Sequence, residues 1–357
     1  MAEGLADEGN LPGPRISRVY GEWAKGGWGA LLTDTCQENG TPAIAQICHS
    51  GRQSPRGAGE RGLFGKTIAP SAVPLNIGNG FIATFIRDLV FGTPKAMSQS
   101  DIDCVITQFV DCARILAQCG FSGIEIHAAH GYLLSQFLSP RINTRQDSYG
   151  GSAERRARIV IEIINRIRST VPKTFCVGIK LNSADHDTTN FEDTMAQIRL
   201  FHATGVDFLE ISGGTYEDPA MMGRGLREEV SNAKSQSTES REAFFLDFAK
   251  EARKRFPELI LLLTGGFRTR RGIETVLKDG VCDLVCIGRP AVLRPNFPLL
   301  IMDETYSEQE AKVVFSKVPV PFLARLLKMR MLGGGAETKY FREQIHRIAA
   351  GNIPQAP

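Results

Sequence analysis

At 357 residues, with 42% hydrophobic and 23% charged residues, the chain has an ordinary globular composition and enough apolar mass for a large core. A net charge of +3 without a basic block gives no support to nucleic acid as a partner. No apolar run approaches the ~20 residues of a membrane helix, and the acidic amino terminus lacks an apolar signal region. The expectation is a cytoplasmic protein with no membrane partner.

Strand-like and helix-like patterns alternate along the chain. Residues 1–14 read as a loop, followed by an amphipathic helix over 15–25 that stops at Gly26. Short apolar strands are expected at 28–33 and 43–47. Residues 50–98 form a long Gly/Pro-rich excursion with little periodicity, of a size that is usually functional. A helix then starts at Ser100, with Asp103 three residues on as its capping partner, and ends at Gly120. Strands at 123–127, 175–181, 207–211, 259–264 and 283–287 alternate with helices over 152–170, 191–204, 240–256 and 270–278. The tail after Met302 is helical in pattern.

Strict β/α alternation with fully apolar strands argues for a parallel sheet covered on both faces. A TIM (β/α)8 barrel fits best, with the first strand truncated, since seven strands are visible and the deficit lies at the front. A doubly wound open sheet is the alternative, weakened because no G-x-G-x-x-G follows a strand. The expected division is a barrel over 1–300, with the 50–98 excursion above its site, and a helical extension over 301–357. Eight cysteines are scattered without a C-x-x-C pair, so zinc ribbons and cysteine-ligated clusters are unsupported. This is the cysteine usage of a reducing compartment.

The chemistry concentrates where strands end. The strand at 123–127 runs into His127 and His130, with Tyr132 two residues further: two donors for a carbonyl and one phenol able to give a proton. On a period of two, Glu125 and His127 share one face, and Cys176, Gly178 and Lys180 share one face of the next strand. A lysine there needs an anion, met either by a buried carboxylate such as Glu125 or Glu210 or by a ligand. Gln46 also points inward at its strand end and can donate or accept toward a ring edge. The turns Thr264-Gly265-Gly266-Phe267-Arg268 and Ile287-Gly288-Arg289-Pro290 close the last two strands, where backbone N–H groups commonly cradle a phosphate. Two tight turns with surface arginines would look the same. The two histidines could also ligate a metal, but the remaining histidines carry no matching pattern, and no metal site is assigned.

The run Gly123-Ile-Glu-Ile-His-Ala-Ala-His-Gly-Tyr-Leu-Leu-Ser-Gln-Phe-Leu-Ser-Pro140, with Asn143-x-Arg-x-Asp-x-Tyr-Gly-Gly-Ser-x-Glu-x-Arg156 behind it, resembles the Old Yellow Enzyme family of FMN-dependent NADH:flavin oxidoreductases. The resemblance extends from about Met1 to Pro298 and implies an FMN-holding barrel of the single-domain type. It implies that His127 and His130 bind the acceptor's oxygen and that Tyr132 donates the proton. Ala2, Thr35, Gln46, Lys180, Gly265, Gly266, Gly288 and Arg289 would bind the flavin. NADH or NADPH would be the reductant and an α,β-unsaturated carbonyl compound the acceptor, with a homo-oligomer left open. Ala2 stands where relatives carry Thr or Cys, in what reads as the remnant of the turn after the first strand. That departure keeps a truncated, non-catalytic barrel remnant as an alternative. A metal-dependent barrel hydrolase using the two histidines is a third reading.

Overall fold

Alternation within each apolar run decides the architecture. A computed structural model describes residues 5–7, 13–32, 41–58, 61–78, 80–183, 188–214, 236–314 and 330–355. Seven strands form one sheet: β1 (Leu31–Leu32), β2 (Ala43–Ile47), β5 (Gly123–Ala128), β6 (Cys176–Asn182), β7 (Phe208–Ser212), β8 (Ile260–Thr264) and β9 (Leu284–Cys286). Their order is β1-β2-β5-β6-β7-β8-β9, and every neighbouring pair is parallel. A separate two-stranded pair, β3 (Ile68–Ala69) and β4 (Lys95–Ala96), lies within the excursion. The seven expected strands are therefore all found. The one expected at 28–33 reaches Thr33, outside the described residues, as are the Met1–Glu3 turn, Ala2 and Thr35.

The helices are α1 (Pro14–Ala24), α2 (Phe81–Val90), α3 (Gln99–Gln118), α4 (Leu133–Leu138), α5 (Ala153–Thr170), α6 (Thr188–Ala203), α7 (Gln236–Arg255), α8 (Arg270–Lys278), α9 (Arg289–Leu293), α10 (Phe297–Met302), α11 (Glu308–Ala311) and α12 (Arg330–Ala349). α3 corrects the expected start. Ser98, not Ser100, is its cap: its side chain accepts the N–H of Asp101, whose carboxylate accepts the N–H of Ser98. Both Ser-x-x-Asp pairs fit the capping pattern. The earlier one prevails because β4 delivers the chain there and Lys95 holds Asp101 by an ion pair of 2.8 Å.

Even-numbered residues of β5 (Ile124, Ile126, Ala128) and odd ones of β6 (Val177, Ile179, Leu181) face outward. They meet Ile102, Ile106 and Phe109 of α3 and Ile159, Ile163 and Ile167 of α5, all buried. Each such residue contributes about 1.5–3 kcal/mol by leaving water, so this layer carries the fold. The opposite strand face is polar. Glu125, His127, Lys180, Glu210 and Ser212 are buried there.

The sheet curls. The first and last units meet. Trp23 and Trp28 donate their indole N–H groups to Ala291 O (2.9 Å) and Pro295 O (2.7 Å), just beyond β9. Phe341, Ile345 and Ile348 of α12 pack with Ile16, Val19 and Trp23 of α1 and Val292 of α9. The wall is that of a (β/α) barrel.

The excursion is more structured than its sequence suggests. It holds α2, the β3/β4 pair and a small core of Leu75, Ile77, Ala83 and Phe91. Buried Arg52 pins it by donating to Val73 O and Pro74 O at 3.2 and 2.8 Å. Among the described residues, no helix is long and apolar enough to cross a membrane.

Candidate active site

His130 has φ of +58° and is followed by Gly131 at +72°; among the described residues it is the non-glycine with positive φ. A bulky side chain in that region needs compensation. Its N–H is taken by Asn182 Oδ1 at 3.1 Å, and its carbonyl accepts from Gln53 Nε2 at 3.0 Å. Gln136, fully buried, adds a bond to Gly131 O at 2.8 Å. The turn is thus gripped from β6, the excursion and α4, and it returns the His130 ring toward His127.

The hydrogen bonds fix both ring protons. The Ala129 N–H donates to His127 Nδ1 (3.2 Å), so that nitrogen carries no proton. His127 must then hold its proton on Nε2, 3.2 Å from His130 Nδ1, to which it donates. His130 in turn keeps its proton on Nε2 and donates to Ser212 Oγ at 3.0 Å. Burial lowers both pKa values, to about 2 for His127 and about 3 for His130. The His130 and Lys180 charges add to the effect at His127, and the Lys180 charge adds to it at His130. Two neutral imidazoles stand side by side. Tyr132 meets His127 edge to face, with centroids 4.9 Å apart.

Below them lies the buried polar layer. Lys180 stands beside His127 in register and ion-pairs with Glu210 at 2.6 Å. The buried-carboxylate partner anticipated for this lysine is therefore present. Burial works against its ammonium, but the Glu210 carboxylate beside it raises its pKa. Thr264 donates to the same oxygen of Glu210. Gln46 Nε2 donates to Glu125 Oε2 at 2.5 Å. Gly178 lies between Glu125 and Phe208 in register, and its missing Cβ makes room for the Phe208 ring, 2.1 Å from where that atom would sit.

The glycine turns stand at the carboxyl ends of β8 and β9, on the same sheet edge. Gly266 has φ of +65°. Gly288 caps α9, and a Cβ there would meet nothing within 4 Å. Arg289 opens α9 and pairs with Glu337 at 3.1 Å. All of the expected site residues that are described sit at this edge or one layer below it. Sequence reasoning missed Asn182, Ser212, Gln53 and Gln136. The first two were within reach, since each lies two residues beyond an inward side chain already identified, Lys180 and Glu210. The others come from loops that no period marks.

Comparison with known proteins agrees with this geometry. Residues 16–308 match the sequence profile of the NADH:flavin oxidoreductase / NADH oxidase family. The NADH-dependent flavin oxidoreductase iliE of a Neonectria species is 44% identical over 335 residues, covering 83% of this chain and 43% of that protein. The iliE protein of Hypocrea jecorina is 39% identical over 369 residues, covering 93% of this chain and 91% of its own. Among solved structures, 2-naphthoyl-CoA reductase with 2-naphthoyl-CoA superposes with a TM-score of 0.67 at 21% identity, over 92% of this chain and 53% of that one. The Old Yellow Enzyme homologue from Zymomonas mobilis gives 0.63 at 20% identity, over 88% of this chain and 91% of its own. At such identities the superpositions speak for the fold. The chain belongs to the NADH:flavin oxidoreductase / NADH oxidase family, the family of the Old Yellow Enzymes.

Proposed function

We propose that the chain is an FMN-dependent NAD(P)H oxidoreductase that reduces an α,β-unsaturated carbonyl compound. The observation that carries this is the pair of neutral imidazoles, each with its proton on Nε2, beside a phenol and above a buried ammonium. The donor set suits a flavin mononucleotide: an amide at Gln46 and an ammonium at Lys180 for a ring edge, and glycine turns with Arg289 for a phosphate. Open space at Gly288 allows backbone approach there. FMN, when bound, would accept hydride from the nicotinamide and deliver it to the acceptor's β-carbon. The NADH-dependent naming of the two iliE proteins supports NADH as the reductant.

The protein's own part is placement and proton handling. An acceptor's carbonyl oxygen, on which negative charge grows, would draw the two Nε2–H groups away from their present acceptors, His130 Nδ1 and Ser212 Oγ. Neutral imidazoles suit this role because they stabilise that charge without losing a proton to it. Tyr132 gives its phenolic proton to the α-carbon. Lys180, held by Glu210, would supply a fixed positive charge to the ring edge of a bound flavin.

Separating the half-reactions tests the assignment. Tyr132→Phe should slow acceptor reduction by roughly 10²-fold or more while NAD(P)H oxidation by the FMN-loaded enzyme stays close to wild type. Equal losses in both half-reactions, or no flavin spectrum after reconstitution with FMN, would overturn the reading.

A further inference from the structure

The inner layer contains more acid than its cations require. Glu125 and Glu210 are both fully buried. One oxygen of Glu210 takes the Lys180 ammonium at 2.6 Å and the Thr264 hydroxyl. One oxygen of Glu125 takes the Gln46 amide at 2.5 Å. The remaining oxygens, Glu125 Oε1 and Glu210 Oε2, receive no donor, although the two side chains lie within hydrogen-bonding reach of each other. Two ionised carboxylates meeting in this way, out of water, would repel each other and leave two acceptors unsatisfied.

We propose that Glu125 and Glu210 share a single proton carried by Glu125, and that this acid–carboxylate pair is the positioning element that holds the Lys180 ammonium at the strand ends. The Glu125 hydroxyl then donates to Glu210, and both orphaned oxygens are satisfied at once. Glu210 is the partner that stays ionised, because the Lys180 ammonium and the Thr264 hydroxyl bond it directly, whereas the Gln46 amide is the donor seen on Glu125. Burial and the neighbouring Glu210 charge push the Glu125 carboxyl in the same direction. Gln46 of β2, Lys180 and Cys176 of β6, Thr264 of β8 and Cys286 of β9 face the pair, and His130 faces Glu210. Burial first, and Glu210 second, push the Cys286 thiol up to about 12, so it stays neutral and Lys180 is the cation against the pair. One positive charge then meets one negative charge, and the layer is neutral. This holds independently of the flavin reading.

Infrared spectroscopy of the full chain without added ligand tests it directly. At neutral pH the wild type should show the C=O stretch of a protonated carboxylic acid, shifting with 13C-labelled glutamate and with D2O. Glu125→Gln should lose the band yet keep its fold, because the amide N–H replaces the acid O–H toward Glu210. Should that variant fail to fold, Glu210→Gln with Lys180→Met removes both charges together. The Glu125 band must then move, since its acceptor has become an amide. No acid band in the wild type, a band that survives Glu125→Gln, or a band unmoved in the double variant would each overturn the proposal.

Discussion

The ends of β5, β6 and β7 and the ends of β8 and β9 share one sheet edge but are built in opposite ways. At the first, His127, His130 and Ser212 form one hydrogen-bonded chain, Lys180 pairs with Glu210, Gln46 bonds Glu125, and Gln53 and Gln136 hold the His130–Gly131 turn. At the second, the backbone at Gly288 lies next to open space, Arg289 pairs with Glu337, and Arg268 donates to Gly266 O. The difference tracks what each must do. A donor pair that must meet a developing charge is useful only if its side chains are held close to where that charge appears. A phosphate cradle needs bare N–H groups, and any side chain would obstruct it. One half is rigid by side-chain contact, the other accessible through the lack of it.

Acid should break the first half without touching the second. His127 and His130 have folded pKa values of about 2 and about 3, below the ordinary 6.5, so the unfolded chain binds more protons than the native one between these limits. Stability is therefore unaffected above about 6.5 and falls as pH drops below it, by on the order of 1 kcal/mol per pH unit per histidine. Urea unfolding at pH 7.5 and 5.5 checks the slope, and His127→Gln with His130→Asn should flatten it. A slope that the double variant leaves unchanged would assign the effect elsewhere.

A single methyl sharpens the contrast. Gly178→Ala drives a Cβ into the Phe208 ring and should cost about 1–3 kcal/mol through overpacking of the closed half. Gly288→Ala meets nothing within 4 Å and should change stability by no more than about 0.5 kcal/mol. It should nevertheless weaken FMN binding, read by fluorescence titration. Equal thermal shifts for the two variants would remove the distinction between the halves.

The legible part of this protein is the part governed by period. Seven strands could be read because apolar runs such as Leu259–Leu263 admit no other packing in a parallel sheet. The alternation that sent Ile124 and Ile126 outward also sent Glu125 and His127 inward. Ser98 was missed because two equivalent capping pairs lie two residues apart, and tertiary contacts chose between them. α2 was missed because ten residues inside a Gly/Pro-rich stretch carry too little pattern. The grip on His130 was legible only in part. Asn182 lay within reach of the strand period, but its pairing with the His130 N–H, and the bond from Gln53 some 77 residues away to the His130 carbonyl, exist only after folding.

On the proposed function, a bound oxyanion takes over the two Nε2–H groups that His127 and His130 now give to His130 Nδ1 and Ser212 Oγ. Titrating the FMN-loaded protein with a simple phenol and following the long-wavelength charge-transfer absorption tests it most directly. The wild type should develop the band with saturating binding. The His127→Ala, His130→Ala double variant, still loaded with FMN, should lose roughly 10²-fold or more in affinity, as two hydrogen bonds to a phenolate oxygen are removed. Unchanged affinity and an unchanged band would contradict the account.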